Sequence, residues 1–432
     1  MTIPVEQREV ARFLAERSGS APSETHISAV FVGADTVWKL KKAVRLPFLD
    51  FTTPEARVHF LRRELELNRK AAPEIYRDVI AISRRPDGRM ELGGDNPVDW
   101  VLRMAPVSAG DFLDVVAAAG GLTPGLLDDL GDCVATYHAS LAPVADRDGA
   151  DIVAGITRGN LRSAHAAGLP AAEVAAWGRS IDDAIQACRH WLAERSDTGH
   201  VRRCHGDLHL GNLCLWRGKP VAFDALEFDE ALATIDVAYD LAFLLMDLEQ
   251  RVGRAAANRV MNRYVARTGD LAMRGFPVFL SLRAMIRAHV LRTMGQDAAP
   301  WLAAALGYLA PSPGVVVAIG GLQGTGKSTL ARALAPDLGP APGALVLRSD
   351  EIRKRLHHAA PETRLAQAAY SQAANAATNA ALVEQAATAA ASGHAVVVDA
   401  TFLDPAIRDR LATAIRRAGV AFHGFWLHAE LP

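Results

Sequence analysis

The chain has 432 residues, of which half are hydrophobic and 22% are charged, and this composition is that of a globular protein. A chain of this length exceeds a single ordinary core, so two or three domains are expected. The net charge of −1 argues against a nucleic-acid partner. The sequence also lacks the kind of acidic tail that would suggest a solvating role.

The sequence also excludes the usual signs of export or membrane insertion. Charged residues lie close to the N-terminus at Glu6 and Arg8, where a signal peptide would need an apolar core. The longest apolar runs, 241–246 and 315–319, are much shorter than the ~20 residues that span a bilayer. The four cysteines lack Cys-x-x-Cys spacing, which favours reduced thiols. We therefore expect a cytoplasmic protein without a membrane partner.

The first hundred residues predict an antiparallel sheet with two helices. Apolar residues that recur every three or four positions mark the helices, and Thr53-Pro54 is a typical helix start. Gly33-Ala34-Asp35 and Pro86-Asp87-Gly88 mark hairpin turns. The expected helices are 5–17 and 54–71, and the expected strands are 26–32, 36–41, 75–83, 90–92 and 99–105. Residues 123–195 read as mostly helical, with a less regular middle around 143–170.

The stretch from Cys204 to Asn212 carries the clearest chemical pattern of the chain. His205-Gly206-Asp207 is followed by Asn212 five residues after the aspartate, and an apolar strand then ends at Asp224. Kinase catalytic loops place a base and a metal-binding amide at this spacing, with a second metal-binding carboxylate downstream. The pattern predicts Asp207 as the catalytic residue that accepts the hydroxyl proton, and Asn212 and Asp224 as magnesium ligands.

These residues resemble the aminoglycoside phosphotransferase and choline kinase branch of the protein-kinase-like fold. That branch has glycine after the histidine, where protein kinases have arginine, and Gly206 matches it. The sequence Ile-Asp-Val-Ala-Tyr-Asp-Leu-Ala at 235–242 is also similar to the helix that follows the metal site in this branch. The resemblance covers about residues 20–305. It implies an N-lobe at about 20–105 and a helical C-lobe at about 106–310.

The resemblance also implies nucleotide-binding residues in the N-lobe. Lys39 and Lys41 lie on one face of a predicted strand, and one of them is expected to reach the α- and β-phosphates, with Lys39 preferred. Glu64 is the preferred partner for that lysine, with Glu66 as the alternative. The interlobe hinge falls at Arg103-Met104-Ala105, whose backbone would contact adenine.

The acidic stretch after Asp224 has two interpretations. Glu227 and Asp229 either face a cationic acceptor, such as an amino sugar or an amine, or are ordinary surface or helix N-terminal charges. From 235 to 309, apolar residues recur every three or four positions, which predicts a helical C-lobe.

A second phosphate-binding motif follows the break at Pro311-Ser312-Pro313-Gly314. The apolar strand 315–319 runs into Gly-x-x-x-x-Gly-Lys-Ser and then into a helix, which is the context that a P-loop requires. Backbone N–H groups and a lysine of such a loop surround the phosphates, and its serine binds magnesium. The predicted ATP-binding residues are Gly321, Gly324, Thr325, Gly326, Lys327, Ser328 and Thr329, with Ser328 also a metal ligand.

The rest of this region resembles P-loop kinases of the gluconate kinase, polynucleotide kinase and zeta-toxin type. The strand at 345–348 ends before Asp350 and Arg353, and the resemblance implies Asp350 as general base and Arg353 as a substrate or phosphate contact. Asp350 is alternatively a helix N-cap. The alanine-rich stretch 366–391 predicts a long surface helix. Asp399 ends a third buried strand, in a Walker-B-like position for magnesium.

The sequence therefore predicts a multidomain α/β and α+β protein similar to bacterial fusions of a phosphotransferase-like domain with a P-loop kinase domain. The expected domains are a bilobal kinase-like domain at 1–310 and a three-layer α/β/α P-loop domain at 314–432. The second is shorter than a usual domain of ~150 residues, so it is expected to be C-terminally incomplete.

Three functions are compatible with this reading. The main hypothesis is a phosphotransferase that uses ATP or another nucleoside triphosphate, with magnesium, to phosphorylate a hydroxyl group of a small molecule. The alternative is a nucleotide-sensing regulator, in which the kinase-like half binds nucleotide without transfer and the P-loop half acts as a switch. A third possibility is a P-loop half that phosphorylates a nucleic acid or a nucleotide sugar. The sequence assigns neither the acceptor nor the oligomeric state.

Overall fold

The computed structural model describes residues 3–46 and 49–428, which divide into two compact units. The first unit combines the described part of Met1–Ala119 with Arg203–Thr234, and the second combines Gly120–Arg202 with the described part of Ile235–Pro432. The segment that carries the kinase-type loop therefore belongs to the same unit as the N-terminal sheet.

The N-terminal part of the first unit is a sheet with three helices. Its elements are α1 (Arg8–Ser18), β1 (Ser23–Glu24), β2 (Ser28–Val32), β3 (Val37–Lys41), β4 (Arg45–Leu46), β5 (Leu49–Asp50), α2 (Pro54–Arg69), β6 (Tyr76–Arg84), β7 (Met90–Leu92), β8 (Pro97–Met104) and α3 (Leu113–Ala118). Thr53 caps α2, because its side chain accepts a hydrogen bond from the Ala56 N–H and Pro54 follows it.

The main sheet of this unit has the order β1-β2-β3-β8-β6-β7, and its neighbouring strands are antiparallel. One core cluster fills the space between α1 and the sheet, around Leu14, Phe31 and Leu40. A second cluster lies on the α2 side, around Leu61 and Tyr76. The sheet is thus covered on both sides, and β3 is held between β2 and β8.

The middle of the chain is mainly helical. Its elements are α4 (Pro124–Ser140), α5 (Gly149–Ala166), α6 (Ala171–Asp197), β9 (Val201–Arg203), β10 (Leu213–Trp216), β11 (Lys219–Ala222), α7 (Glu230–Ala233), β12 (Thr234–Asp236), α8 (Val237–Arg251), α9 (Arg254–Thr268), α10 (Phe276–Thr293) and α11 (Ala299–Gly307). Helix α8 is buried from residue 237 to residue 248 and forms the centre of this bundle. Within the described ranges, no helix combines the length and apolar character needed to cross a membrane.

The expectation of a less regular middle around 143–170 is wrong. Most of that range forms α5, an 18-residue helix whose Asp148 cap accepts hydrogen bonds from the N–H groups of Ala150 and Asp151. The sequence analysis missed it because glycines interrupt the helical pattern at Gly155 and Gly159. The expectation of helix from 235 onward also needs a small correction, since the short strand β12 precedes α8.

The C-terminal region is a parallel sheet with helices. Its elements are β13 (Val315–Gly321), α12 (Lys327–Leu334), β14 (Leu345–Arg348), α13 (Ser349–Leu356), α14 (Gln372–Ala391), β15 (Val396–Asp399), α15 (Pro405–Arg417) and β16 (Ala421–Leu427). The strand order is β14-β15-β13-β16. Strand β13, which leads into the P-loop, is therefore internal, and its neighbours β15 and β16 run parallel to it.

The alanine-rich helix is shorter and less exposed than expected. A turn of 3-10 helix occupies 367–370, and α14 begins at Gln372 after the Ser371 cap. One face of α14 is buried at Thr378, Leu382 and Ala386. The small alanine side chains allow α14 to lie close to its neighbours, and contacts join it to α13 and α15.

We expect His394 to make the second unit less stable in mild acid. Its ring is buried and its Nε2 lies 3.0 Å from the Gly343 carbonyl oxygen, and burial lowers the pKa of His394 to about 4. The unfolded value is about 6.5, so the buried neutral ring contributes stability above that pH, and the contribution is lost as pH falls toward 4. The loss should reach about 3 kcal/mol.

Urea unfolding of the full chain between pH 7 and pH 4 measures this effect. His394→Gln keeps a donor for the carbonyl and cannot titrate, so its stability should fall less steeply over that range. His423→Gln changes an exposed histidine of the same unit and should follow the wild type. Equal slopes for His394→Gln and the wild type would contradict the assignment.

Candidate active site

Two lysines of β3 share one carboxylate of α2. Side chains alternate along a strand, so Lys39 and Lys41 lie on the same face. Lys39 Nζ lies 2.7 Å from Glu64 Oε1, and Lys41 Nζ lies 2.8 Å from Glu64 Oε2. The Glu64 side chain is fully buried. It therefore fixes the positions of both ammonium groups at once.

Each lysine also binds a carboxylate from the segment after β11. Lys39 Nζ lies 2.5 Å from Asp224 Oδ1, and Lys41 Nζ lies 2.5 Å from Glu227 Oε1. The five side chains form one network in which two positive charges face three carboxylates. Charged groups taken from water need such partners, because an unpaired buried charge costs several kcal/mol.

The network shifts the protonation of its members. Burial alone would lower the pKa of Lys39, but Asp224 and Glu64 outweigh burial and raise it well above the ordinary value. Burial would raise the pKa of Glu64, but the two lysines lower it to about 2. Burial raises the pKa of Glu227, against the opposing effect of Lys41. Lys39 and Glu64 are therefore fully charged at neutral pH.

Asp224 is held in an unusual backbone conformation by neighbouring groups. Its φ is 61°, in the left-handed region that few non-glycine residues adopt. Its N–H donates to the Tyr76 hydroxyl at 2.9 Å, and the next N–H, of Ala225, donates to Asn68 Oδ1 at 2.8 Å. The Asn68 amide in turn donates to the Glu64 carbonyl oxygen. Helix α2 thus positions the Asp224 segment as well as the lysines.

Tyr76 and Asn68 are site residues that the sequence reasoning missed. Burial raises the pKa of Tyr76 well above its ordinary value, so its hydroxyl stays protonated. Asn68 lies one helical turn after Glu64, and this spacing is the only signal in the sequence that both face the site. A buried asparagine in α2 is otherwise unremarkable.

Gly206 allows the kinase-type loop to turn close to its neighbours. Its φ is 84°, and a Cβ there would lie 3.0 Å from the Ala233 Cβ and 3.1 Å from the Leu226 Cβ. The adjacent His205 Nε2 lies 2.9 Å from the Phe223 carbonyl oxygen, and its own carbonyl accepts from the Leu226 N–H. The loop is therefore joined to the Asp224 segment through backbone and ring contacts.

Asp207 and Asn212 contact each other directly. Asn212 Nδ2 donates to the Asp207 Oδ2 at 2.8 Å and to the Asp207 carbonyl oxygen at 2.9 Å. The Phe223 N–H donates to the Asn212 carbonyl oxygen at 3.1 Å, which links this pair to the residue before Asp224. His209 Nε2 lies 3.5 Å from Asp207 Oδ2. The structure thus brings the three residues of the kinase-type pattern into one connected region.

The donor set in this region fits magnesium. Asn212 uses its Nδ2 for Asp207, and among the described residues its Oδ1 accepts no hydrogen bond. Asp224 binds Lys39 through Oδ1 only, and its side chain is 40% exposed. Amide and carboxylate oxygens are the ligands that magnesium prefers. Asn212 and Asp224 would therefore hold the ion.

The predicted hinge lies at the end of the internal strand β8. Met104 is paired with Val37 on one side and Tyr76 on the other, and the Ala105 N–H donates to the Ile75 carbonyl oxygen. The Arg103 guanidinium binds Asp78, which lowers the pKa of that carboxyl. Contact between adenine and the backbone of Arg103 and Met104 stays a prediction.

The two acidic residues after Asp224 have different environments. Glu227 is 6% exposed and binds Lys41, so the interpretation of Glu227 as a surface charge is wrong. Asp229 caps α7, where its Oδ1 accepts from the N–H groups of Ala231 and Leu232. The helix N-terminal interpretation of Asp229 is confirmed. A contact between Glu227 and a cationic acceptor stays a prediction.

The P-loop of the second unit has the expected backbone shape. Gly324 and Gly326 have φ values of 85° and 86°, which a side chain would strain. Lys327 begins α12, and its Nζ donates to the Leu322 carbonyl oxygen at 2.6 Å, across the loop. The Thr325 hydroxyl donates to the same oxygen, while Gly321 ends β13 and Thr329 is exposed on α12.

Ser328 and Asp399 meet at the carboxyl end of the parallel strands. Ser328 Oγ donates to Asp399 Oδ2 at 2.5 Å, as expected if both belong to one magnesium site. Arg348 contacts both, with Nε 3.3 Å from Asp399 Oδ2 and Nη2 3.3 Å from Ser328 Oγ. The sequence analysis did not predict a role for Arg348, because it assigned the functional position after this strand to Asp350.

Asp350 and Arg353 do not bind each other, and each contacts a different group. Asp350 lies in the first turn of α13 and binds Lys354 at 2.8 Å, while the N-cap position belongs to Arg348. The N-cap interpretation of Asp350 is therefore wrong. Arg353 donates to the Ala369 carbonyl oxygen and lies over the Tyr370 ring. Their roles as base and substrate contact stay predictions.

Comparisons with known proteins identify both regions. Residues 51–276 match the model of the phosphotransferase enzyme family, and residues 316–431 match an AAA domain. Uncharacterized proteins of Mycobacterium tuberculosis and Mycobacterium bovis are 30% identical in an alignment of 424 residues that covers 92% of this chain and 82% of each relative. The chain belongs to the phosphotransferase enzyme family. It joins a kinase-like domain to an AAA-type P-loop domain, so the predicted fusion is confirmed.

Two solved structures illustrate the distant similarity. Glucosamine kinase in complex with glucosamine, ADP and inorganic phosphate is 17% identical, with 66% of this chain and 74% of that chain covered and a TM-score of 0.41. A choline/ethanolamine kinase family protein from Mesorhizobium loti is 13% identical, with 71% and 94% covered and a TM-score of 0.42. The multidomain, mixed α/β fold class with a kinase-like domain is confirmed by the family matches.

Loss of the shared carboxylate should destabilise the first unit strongly. Glu64→Gln leaves two buried ammonium groups without the partner that joins them, and breaking a buried ion pair in this way costs about 3–5 kcal/mol. Urea unfolding at neutral pH measures the change. Glu66→Gln, on the same helix, alters an exposed pair with Arg63 and should cost at most about 1 kcal/mol. Similar stabilities of the two variants would show that Glu64 does not organise the site.

Proposed function

We propose that the protein transfers the γ-phosphoryl group of ATP to a hydroxyl group of a small molecule, with magnesium, at the site of the first unit. The observation that carries this proposal is the connection of Asp207, Asn212 and Asp224 to the Lys39–Glu64 pair within one compact unit. Phosphoryl transfer needs positioned phosphates, a metal and an oriented hydroxyl, and it needs little covalent chemistry from the protein.

Each residue of the site has a role in this proposal. Lys39, oriented by Glu64, would contact the α- and β-phosphates, and Asp207 would orient the acceptor and receive its hydroxyl proton. Asn212 and Asp224 would hold magnesium, which neutralises charge on the phosphates. The hydrogen bond from Asn212 to Asp207 supports a fixed position of that carboxylate.

Nucleotide binding must exchange the partners of Lys39 and Asp224. The lysine and the carboxylate bind each other at 2.5 Å. Lys39 would then donate to phosphate oxygens, and the Asp224 carboxylate would be released to hold magnesium. Glu64 keeps Lys39 in place during the exchange, because it binds a different side of the same ammonium group.

We propose a second nucleotide site at the P-loop. Gly324 and Gly326 leave room for phosphates against the backbone, since a Cβ at either position would meet no atom within 4 Å. Lys327 would move from the Leu322 carbonyl to the phosphates. Ser328 and Asp399 would hold magnesium at this second site.

A nucleotide-sensing regulator is the competing function. The Lys39–Asp224 pair favours it, because this contact gives both the lysine and the carboxylate a partner within the protein itself. Phosphate transfer from labelled ATP to a panel of hydroxylated metabolites separates the two functions. Nucleotide binding without transfer to any of them, and without release of phosphate, would support the regulator.

Asp207→Asn should abolish most turnover and preserve nucleotide binding. The amide cannot accept the hydroxyl proton, and loss of a general base typically lowers the rate by about 10²–10⁴. Transfer from labelled ATP measures turnover, and calorimetry measures ATP affinity. Asp95→Asn changes an exposed aspartate of the same unit and should behave as wild type. Full activity of Asp207→Asn would refute the proposed base.

The number of nucleotides bound per chain should show that both proposed sites are present. Equilibrium dialysis with a non-hydrolysable ATP analogue and magnesium should give two equivalents for the wild type. Lys39→Met and Lys327→Met each remove one phosphate-binding ammonium, so each variant should bind one equivalent and the double variant none. One equivalent in the wild type would show that one of the two sites does not bind nucleotide.

A further inference from the structure

A cavity of about 400 Å³ lies within the second unit, between the helices α4 and α9 and the P-loop region. This size is within the ~300–1,000 Å³ typical of small-molecule sites. Neither the catalytic loop nor the P-loop lysine lines it. The charged residues that line it are Arg259, Arg263, Arg332, Arg348, Asp128 and Glu351.

The charged lining has an excess of positive charge. Four guanidinium groups and two carboxylates line it, and Arg263 binds two further carboxylates outside the lining, so Arg332 is the one lining arginine without a carboxylate partner among the described residues. Arg259 binds Asp128 through Nε and Nη2, which leaves the donors of Nη1 for another group. Arg348 binds Glu351 through Nη1. The two carboxylates therefore hold their arginines in place without saturating all of their donors.

Arg332 has a different position from the other three arginines. It lies on α12, five residues after the P-loop lysine, and its side chain is exposed. Among residues 3–46 and 49–428 it makes no hydrogen bond or ion pair, whereas Arg263 binds Asp132 and Glu362. Its full set of donors is thus available to a ligand in the cavity.

The remaining lining is largely apolar. Leu127 of α4, Val252 before α9 and Val346 of β14 line the cavity together with small side chains of α9. A ligand that fits must therefore have an anionic group for the arginines and an apolar body for this wall. Arginine binds phosphate through paired N–H donors, so a phosphate monoester supplies the anionic group that the guanidinium groups of the wall can bind.

The walls of the cavity are joined by specific hydrogen bonds. Asn262 Oδ1 accepts from the Val346 N–H at 2.7 Å, and Asn258 Nδ2 donates to the Ala344 carbonyl oxygen at 3.0 Å. Both asparagines belong to α9, four residues apart on one face, and both also line the cavity. Helix α9 is thus fixed to the edge strand β14, and the cavity keeps its shape.

Arg348 links the cavity to the P-loop. It lines the cavity and also contacts Ser328 and Asp399, which the proposed function assigns to magnesium. An anion that draws this guanidinium into the cavity removes a positive charge from the metal-binding pair. A ligand in the cavity would then favour cation binding at the P-loop.

We propose that this cavity binds a small phosphate monoester with an apolar body, with its phosphate at Arg332 and Arg348 and its body against Leu127 and Val346. The proposal stands apart from phosphoryl transfer in the first unit. The ligand of this cavity would be a metabolite distinct from the nucleotide and the acceptor, and it would act on the P-loop half through Arg348.

Phenyl phosphate is a suitable probe, and calorimetry of the full-length protein measures its binding. Wild type should bind one equivalent in the cavity, and phenol, which lacks the charge, should not bind there. Arg332→Gln should weaken binding about tenfold or more, because it removes a charge-assisted contact. Lys327→Met tests the P-loop as the site and should leave binding unchanged. Ala255→Trp adds an indole at the cavity wall and should block binding.

Arg410→Gln is the matched control, since Arg410 is an exposed arginine of α15 in the same unit. It should bind phenyl phosphate as wild type does. Circular dichroism and thermal unfolding confirm that each variant is folded, which the exposed positions of Arg332 and Ala255 favour. The proposal is overturned if wild type shows no saturable binding, if Arg332→Gln and Ala255→Trp retain wild-type affinity, or if Lys327→Met alone loses it.

Discussion

The Glu64 carboxylate, which binds two lysines of one strand, is the interaction on which the first unit depends. Its two oxygens lie within 2.8 Å of Lys39 and Lys41, and water has no access to it. Burial on this scale is tolerable only because opposite charges surround the group. The same contacts place the Asp224 segment beside α2. The ionic network therefore determines the local fold and the chemistry together.

The network also explains how a strained backbone persists at Asp224. A left-handed conformation costs about 1–3 kcal/mol for a non-glycine residue and survives where its surroundings hold it. Tyr76 and Asn68 hold the two successive N–H groups, and Lys39 holds the carboxylate. Three elements, β3, β6 and α2, thus converge on Asp224 and the residue that follows it. This convergence is typical of a side chain whose direction matters for function.

Much of this arrangement could be predicted from the sequence, because its signals are local. The spacing from His205 to Asn212 and the glycine-rich loop before Lys327 each place reactive groups within a few residues. The partners Tyr76 and Arg348 could not be predicted, since they reach their sites through tertiary contacts that no short pattern records. Helix α5 was missed for a local reason, because the glycines within it weaken its periodic signal.

The attachment of α9 to β14 has a consequence for the independence of the P-loop domain. Strand β14 is at the edge of its sheet, and an open edge exposes backbone groups that pair readily with other chains. Asn258 and Asn262 occupy those groups from outside the domain. Severing the polypeptide near Pro311 would leave this strand uncovered and prone to self-association. Helix α9 therefore shields this edge from pairing with another chain.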